Sequence, residues 1–354
     1  MMPSARLMDT RSYAPFYPHP LLRDRHVMTI AGSKLPRPLG PFLDLGKDFW
    51  LQVDDDTSVR LETHWQKDLL APVMILVHGL SGSSRSPYMS GTAQKAFHAG
   101  WSVLRLNIRN CGETAHRTPT LYNAALTEDL QATVDWVVKN RPRCPIAIGG
   151  FSLGGSIALH TIAKWGENPP ANVIGVCTVS TPLNLVSTSR QLHTGFMNRF
   201  YMKLFLDGFV KSMRRKAEQY PELYPHDASL GYKDFYTFDD QWTAPAFGFD
   251  GADDYYNKAS AYRVLDQVHV PGLIIHAEDD PLVPYNELSI EAIGENPHLR
   301  LLMTKYGGHN GFFGAEASES DFWKDEDRWW SENRVVEYFT GLVEAHGIEL
   351  PCAS

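Results

Sequence analysis

The chain lacks most of the features that settle a function class at a glance. Only four cysteines occur in 354 residues, Cys111, Cys144, Cys177 and Cys352, and no two form a C-x-x-C pair. That spacing suits reduced thiols and argues against a disulfide scaffold or a zinc site. No apolar run approaches the ~20 residues that a membrane-spanning helix needs. The opening stretch, MMPSARLMDTRSYAPFYPHP, has no apolar segment of the kind found in a secretory leader. A soluble cytoplasmic protein is therefore the expectation. Positive charge is also short: 33 Lys and Arg stand against 41 Asp and Glu, a formal net charge of −8. A nucleic-acid partner would normally call for a basic stripe. H-E-x-x-H, P-loop and G-x-G-x-x-G patterns are missing as well, so neither a metal nor any other cofactor is expected.

What is present has an ordinary globular balance, 43% hydrophobic and 21% charged. Short apolar runs alternate with helix-like segments. Strands are predicted at Phe49–Val53, Val59–Trp65, Val73–Val77, Ser102–Ile108, Ile146–Ile148, Val173–Val179, Leu273–Ala277 and Leu299–Thr304. Runs that are apolar throughout and followed by helices imply a mostly parallel sheet covered on both faces, an α/β architecture. About ninety residues from Thr181 to Pro271 interrupt the alternation. The expected organisation is an amino-terminal arm (1–45), a core (46–180 and 272–354) and a helical cap insertion (181–271). In the insertion, Leu192, Phe196, Phe200 and Leu204 recur every four residues, and Phe196 and Phe200 are expected to line a substrate pocket. The run Lys211–Lys216 reads as a solvated helix face. Asp321–Trp330 reads as a helix that docks its tryptophans on the core.

One stretch carries chemistry. IAIGGFSLGGSIALH, Ile146–His160, runs from a strand through Ser152 into a helix expected over Ser156–Trp165. Gly150, Ser152 and Gly154 form G-x-S-x-G, the nucleophile elbow, in which a strained turn lifts the serine above the sheet. The pentad alone arises by chance roughly 0.1 times in a chain of this length, and a serine there can also act as a plain helix cap. A serine nucleophile needs a base, and the base needs an orienting carboxylate. Asp279 and Asp280 follow the strand at Leu273–Ala277, and His309 follows the last strand in a glycine-rich loop. The chain order Ser, Asp, His is that of the α/β-hydrolases. Donors for a developing oxyanion are expected from the backbone N–H groups of Leu153 and Leu80, with His78 as a structural loop residue.

These stretches resemble the YheT-like branch of the α/β-hydrolase superfamily, which includes animal membrane-associated lipid hydrolases and fungal medium-chain acyltransferase/esterases. The resemblance is carried by HPLLRDRHVMTI, VHGLSGSSRSPYM, GWSVLRLNIRNCGET, TEDLQATVDWV, GFSLGGSIAL, FDDQWTAPAFGFDGADDYYNKAS, HAEDDPLVP and GGHNGF. It spans about residues 16–314, and the FDD…TAP…DYY…AS block is its most specific part. It implies hydrolysis of carboxylic esters through Ser152, Asp280 and His309, and it favours Asp280 over Asp279. The expected substrates are short- to medium-chain acyl esters or acylglycerols, with no cofactor, no nucleic acid and only peripheral membrane contact. Acyl transfer to an alcohol through the same acyl-enzyme is the second reading, and a non-catalytic binding protein on this fold is the third. Two positions depart from the branch: Met28 stands where Gln is usual in H-x-Q-T, and Asn110 where Gly is usual in Arg-Gly-Cys. Asn110 is expected to alter the substrate pocket.

Overall fold

In a computed structural model, which describes residues 12–225, 227, 232–347 and 350, the apolar runs become one eight-stranded sheet. Its strands are β1 (Lys47–Gln52), β2 (Ser58–His64), β3 (Val73–Val77), β4 (Ser102–Asn107), β5 (Ile146–Phe151), β6 (Val173–Val179), β7 (Gly272–Ala277) and β8 (Leu299–Thr304). The spatial order is β1-β2-β4-β3-β5-β6-β7-β8. Only the β1–β2 and β2–β4 pairs are antiparallel; the remaining pairs are parallel. Helix α1 (Arg25–Lys34) precedes the sheet, and α2 (Pro87–His98), α3 (Glu128–Asn140) and α4 (Leu153–Trp165) connect the strands from β3 to β6.

Every residue of β3, β5, β6 and β7 is buried. Side chains alternate across a strand, so both faces of these strands must be apolar. Val73, Ile75 and Val77 pack with Val134 of α3 and Ile157 of α4. Met74 and Leu76 face the other way, toward Ala93 of α2 and Phe339 of the last helix. Each such fully buried side chain contributes about 1.5–3 kcal/mol. This is why the sequence reads as continuous apolar runs.

After β6 the chain leaves the sheet through α5 (Leu185–Leu192), α6 (Gly195–Gln219), α7 (Phe235–Phe238), a π-helical turn (Asp239–Thr243), α8 (Ala244–Ala246) and α9 (Ala252–Lys258). The excursion ends earlier than the predicted insertion. Ala261, Leu265 and Val268 pack beside Ile157 and Ile274 in the core under the sheet, so residues 261–271 belong with the core. The four-residue spacing of Leu192, Phe196, Phe200 and Leu204 does not run along one helix: the chain breaks at His193-Thr194, where Thr194 is extended and Gly195 has φ +67°.

The sheet closes with α10 (Glu287–Glu295) before β8 and α11 (Trp330–Ala345) after it. Asp321–Trp329 is irregular, contrary to the helix expected there. Its carboxylates are engaged elsewhere: Asp327 accepts from the Trp329 N–H at 2.9 Å and pairs with Lys95 at 2.8 Å, and Asp325 pairs with Arg334. Trp329 and Trp330 are nonetheless buried. The described part of the arm is locked to this region. Trp330 Nε1 donates to Ala14 O at 2.9 Å, and the guanidinium of Arg37 donates to Glu332. Residues 1–11 of the predicted arm, and Cys352, lie outside the described residues, while Cys111, Cys144 and Cys177 are free and buried. Among the described residues, no helix is long and apolar enough to cross a membrane.

Candidate active site

The parallel register pairs Val77 of β3 with Gly150 of β5, so the carboxyl ends of the two central strands finish together. Ser152, between β5 and α4, has φ +50° and ψ −125°. A non-glycine residue held there costs about 1–3 kcal/mol. The turn is possible because Gly150 and Gly154, two positions to either side, have no side chain. A Cβ on Gly154 would lie 2.3 Å from Val77 O, and one on Gly150 would lie 2.5 Å from Gly154 O. Although Ser152 occupies the cap position of α4, its side chain makes no capping bond. Its Oγ lies instead 2.9 Å from His309 Nε2.

On the other side of the ring, His309 Nδ1 is 2.9 Å from Asp280 Oδ2. The second carboxylate oxygen accepts from the Leu282 and Val283 N–H groups at 2.9 and 3.0 Å, which fixes the carboxylate plane. An acceptor at Nδ1 places the ring proton there, leaving Nε2 free to take the serine proton. The ring's carboxylate partner is Asp280, and Asp279 bonds to the loop backbone. Its Oδ1 accepts from Gly308 N at 2.9 Å, bracing the loop that carries His309. Burial raises its pKa above the ordinary carboxylate range.

The β3 loop passes directly over the serine: a Cβ on Gly79 would lie 2.9 Å from Ser152 Cβ. This brings the next residue, Leu80, to the cavity that Ser152, Leu153 and His309 also line. The Leu153 N–H belongs to the first turn of α4, where no helix carbonyl satisfies it. His78 stands behind the loop. It is fully buried, its Nδ1 donates to Gly79 O at 2.8 Å, and its Nε2 accepts from Ile108 N at 3.3 Å. Burial pushes its pKa down to about 4, so the ring is neutral and structural.

The cavity over the serine, of about 140 Å³, is walled by Leu192, Phe205, Phe209, Met213, Phe235 and Phe238 among others. Phe196 and Phe200, expected in this wall, are not part of it. They lie on the outer face of α6, 82% and 45% exposed. The helix has two apolar stripes one residue apart, and the longer one (Met197, Tyr201, Phe205, Phe209, Met213) turns inward. Lys216, expected in solvent, is buried, with its ammonium donating to the carbonyls of Ala115 and Thr118. Burial brings its pKa down to about 7. Asn110 lines the cavity with φ +66°, a left-handed conformation that asparagine tolerates better than most residues.

Two contributors went unread in the sequence. Thr29 of α1 accepts from the His309 N–H at 2.9 Å and donates to Arg25 O at 2.7 Å. The signal was present in the HVMT element, but nothing in the sequence alone ties residue 29 to residue 309. Asp239 lines the cavity on the π-helical turn, where it accepts from Thr243 Oγ at 2.6 Å and Tyr256 OH at 2.7 Å. Burial pushes this carboxyl up to about 6, against the pull of those two hydroxyls. Among the described residues, no group of three or more His, Cys, Asp or Glu side chains is arranged to hold a metal ion.

Comparison with known proteins agrees with the fold. A family profile described as the alpha/beta hydrolase fold matches residues 72–316. YheT of Escherichia coli (strain K12), which is named as an esterase, is 30% identical over 77% of this chain and 78% of its own. Phospholipase ABHD3 of Mus musculus is 30% identical over 79% of this chain, and a monoacylglycerol lipase of Saccharomyces cerevisiae is 29% identical over 78%. These matches span 66% and 62% of the relatives' own lengths. Among solved structures, the Pyrococcus furiosus esterase Pf2001 aligns with TM-score 0.52 and 17% identity over 84% of this chain and 91% of its own. Fold, site geometry and relatives together assign the chain to the α/β-hydrolase family, in its YheT-like branch.

Proposed function

We propose that the protein is a serine esterase acting on carboxylic esters of short- to medium-chain acyl groups, acylglycerols included. One observation carries this reading: the Ser152–His309–Asp280 chain of hydrogen bonds opens onto an apolar cavity. His309 takes the Ser152 proton as Oγ attacks the ester carbonyl, and Asp280 holds the ring and balances the imidazolium. The N–H groups of Leu80 and Leu153 receive the oxyanion. His309 then returns its proton to the leaving alcohol, and water attacks the acyl-enzyme in a second cycle. The phenylalanine-rich wall suits an acyl chain, since small-molecule sites are mostly apolar with a few placed polar groups. Relatives named as an esterase, a phospholipase and a monoacylglycerol lipase support an ester or lipid substrate.

The test is Ser152→Ala, assayed on p-nitrophenyl esters from acetate to palmitate and with a fluorophosphonate probe. The expected loss in kcat is about 10⁴–10⁶-fold with the fold retained, and the label should disappear. Turnover by the purified variant at a level near that of the unaltered protein would remove the assignment.

A further inference from the structure

Helix α6 presents opposite characters to its two sides. Its inner edge, with Phe205, Phe209 and Met213, lines the cavity. On its outer edge Phe196, Phe200 and Leu204 stand 82%, 45% and 53% exposed. Scattered exposed apolar side chains are ordinary, but residues four apart on a helix are neighbours. These three make one continuous stripe along two turns. Helix α1 is joined to α6 beside Phe200 by a hydrogen bond from Tyr201 OH to His26 O at 3.4 Å. Val27 and Ile30 of α1 are exposed as well, at 43% and 41%.

Charge on the same side of α6 is opposite in sign to that of the whole molecule. Arg199 and Lys203 flank the stripe, and Lys211, Arg214 and Arg215 continue the outer face toward the helix end, all exposed. Against these five cations the exposed acids of the helix are Asp207 and Glu218. A local positive excess on a chain of net charge −8 is a focused field, not a general property of the protein. An apolar edge bordered by Lys and Arg is the pattern of a helix that lies in the boundary between lipid headgroups and acyl chains. Clustered surface cations add attraction to anionic lipid, and this falls off within a Debye length.

We propose that the outer face of α6 docks on an anionic lipid surface. Phe196, Phe200 and Leu204 enter the headgroup–acyl boundary, and Lys211, Arg214 and Arg215 meet the lipid phosphates. Because the opposite face of the same helix walls the cavity, docking sets the cavity against the surface where acyl lipids reside. The inference goes beyond the esterase reading and does not depend on it, since binding is measured without turnover.

The experiment is co-sedimentation of the full chain with vesicles of phosphatidylcholine alone or mixed with phosphatidylglycerol, at low and high salt. The expected partitioning favours the mixed vesicles by about tenfold or more at low salt, with the preference shrinking as salt rises. Phe196→Ser with Phe200→Ser should weaken binding to both vesicle types by about tenfold or more. Arg214→Glu with Arg215→Glu should remove only the preference for phosphatidylglycerol. Both double variants should hydrolyse a monomeric p-nitrophenyl ester within about twofold of the unaltered protein, because neither pair lines the cavity. The proposal is overturned if the unaltered protein stays in the supernatant with both vesicle types, or if the phenylalanine variant binds as well as it does. It is equally overturned if light scattering finds a dimer that the phenylalanine variant dissolves, since the stripe is then a self-contact.

Discussion

Asp279 and Asp280 are adjacent carboxylates at the end of β7 with different partners. Asp280 faces the imidazole and is held by two backbone N–H groups, whereas Asp279 accepts from the loop at Gly308. Asparagine at 280 presents an amide that cannot stabilise the imidazolium and can impose the wrong ring tautomer. Asp280→Asn is expected to lower kcat by roughly 10³–10⁴-fold, by analogy with the worked protease triad. Asparagine at 279 still offers an oxygen to Gly308, so Asp279→Asn should stay within about tenfold, near 1.4 kcal/mol of barrier. Steady-state kinetics on one soluble ester, with circular dichroism for the fold, separates the two. Ser152, Asp280 and His309, which the structure joins by hydrogen bonds, could be picked out of the sequence because each follows a strand end, and strand ends show as abrupt stops in apolar runs. Thr29 was not legible: its partner lies 280 positions away, and local pattern says nothing about such a pairing.

At the scale of elements, α6 shows where periodicity stops being informative. Phe196, Phe200 and Leu204 and the set Tyr201, Phe205, Phe209 and Met213 share the same spacing of four, so period alone cannot say which edge turns inward. The inward set is longer and is fixed at both ends, by Tyr201 against α1 and by Lys216 on the carbonyls of Ala115 and Thr118. Phe205→Ala or Phe209→Ala should therefore shift the preferred acyl length on the p-nitrophenyl ester series toward longer chains. Removing a phenyl ring enlarges the cavity, and such core truncations also cost about 3–5 kcal/mol when the ring is fully buried. These two rings are only partly buried, so the loss in stability should be smaller than the change in selectivity. Phe196→Ala should leave the chain-length profile unchanged. The strands were read to within three residues at each end for the same physical reason that α6 was misread. A doubly buried strand leaves only one way to arrange its side chains, whereas a surface helix leaves several.

Across the whole molecule, one buried carboxylate holds three parts of the chain. Glu332 of α11 receives the guanidinium of Arg37 from the arm and, at 2.9 Å, the ammonium of Lys95 from α2. All three residues are buried. Glu332→Ala takes the carboxylate away from Arg37 and leaves Lys95 on Asp327 alone, and breaking a buried pair in this way costs about 3–5 kcal/mol. Urea unfolding should show that loss, and Glu332→Gln should fall between the variant and the unaltered protein. Nothing in the sequence marks these residues, because an isolated Arg, Lys or Glu looks the same whether it is solvated or enclosed.

The arm also sets a schedule. Its contacts run to the far end of the chain, from Thr29 to His309, Arg37 to Glu332 and Ala14 to Trp330, across separations of 280, 295 and 316 residues. Contacts so distant in sequence form late, because loop closure must be met before they return anything. On the ribosome, residues 12–37 are made before all three partners, and the bonds of Arg37 to Glu332 and of Ala14 to Trp330 cannot form until α11 has left the exit tunnel. The sheet can assemble strand by strand, but the arm must wait. The histidine loop therefore receives its Thr29 support only after β8 has been made, and refolding from denaturant should recover native tryptophan fluorescence before it recovers full turnover.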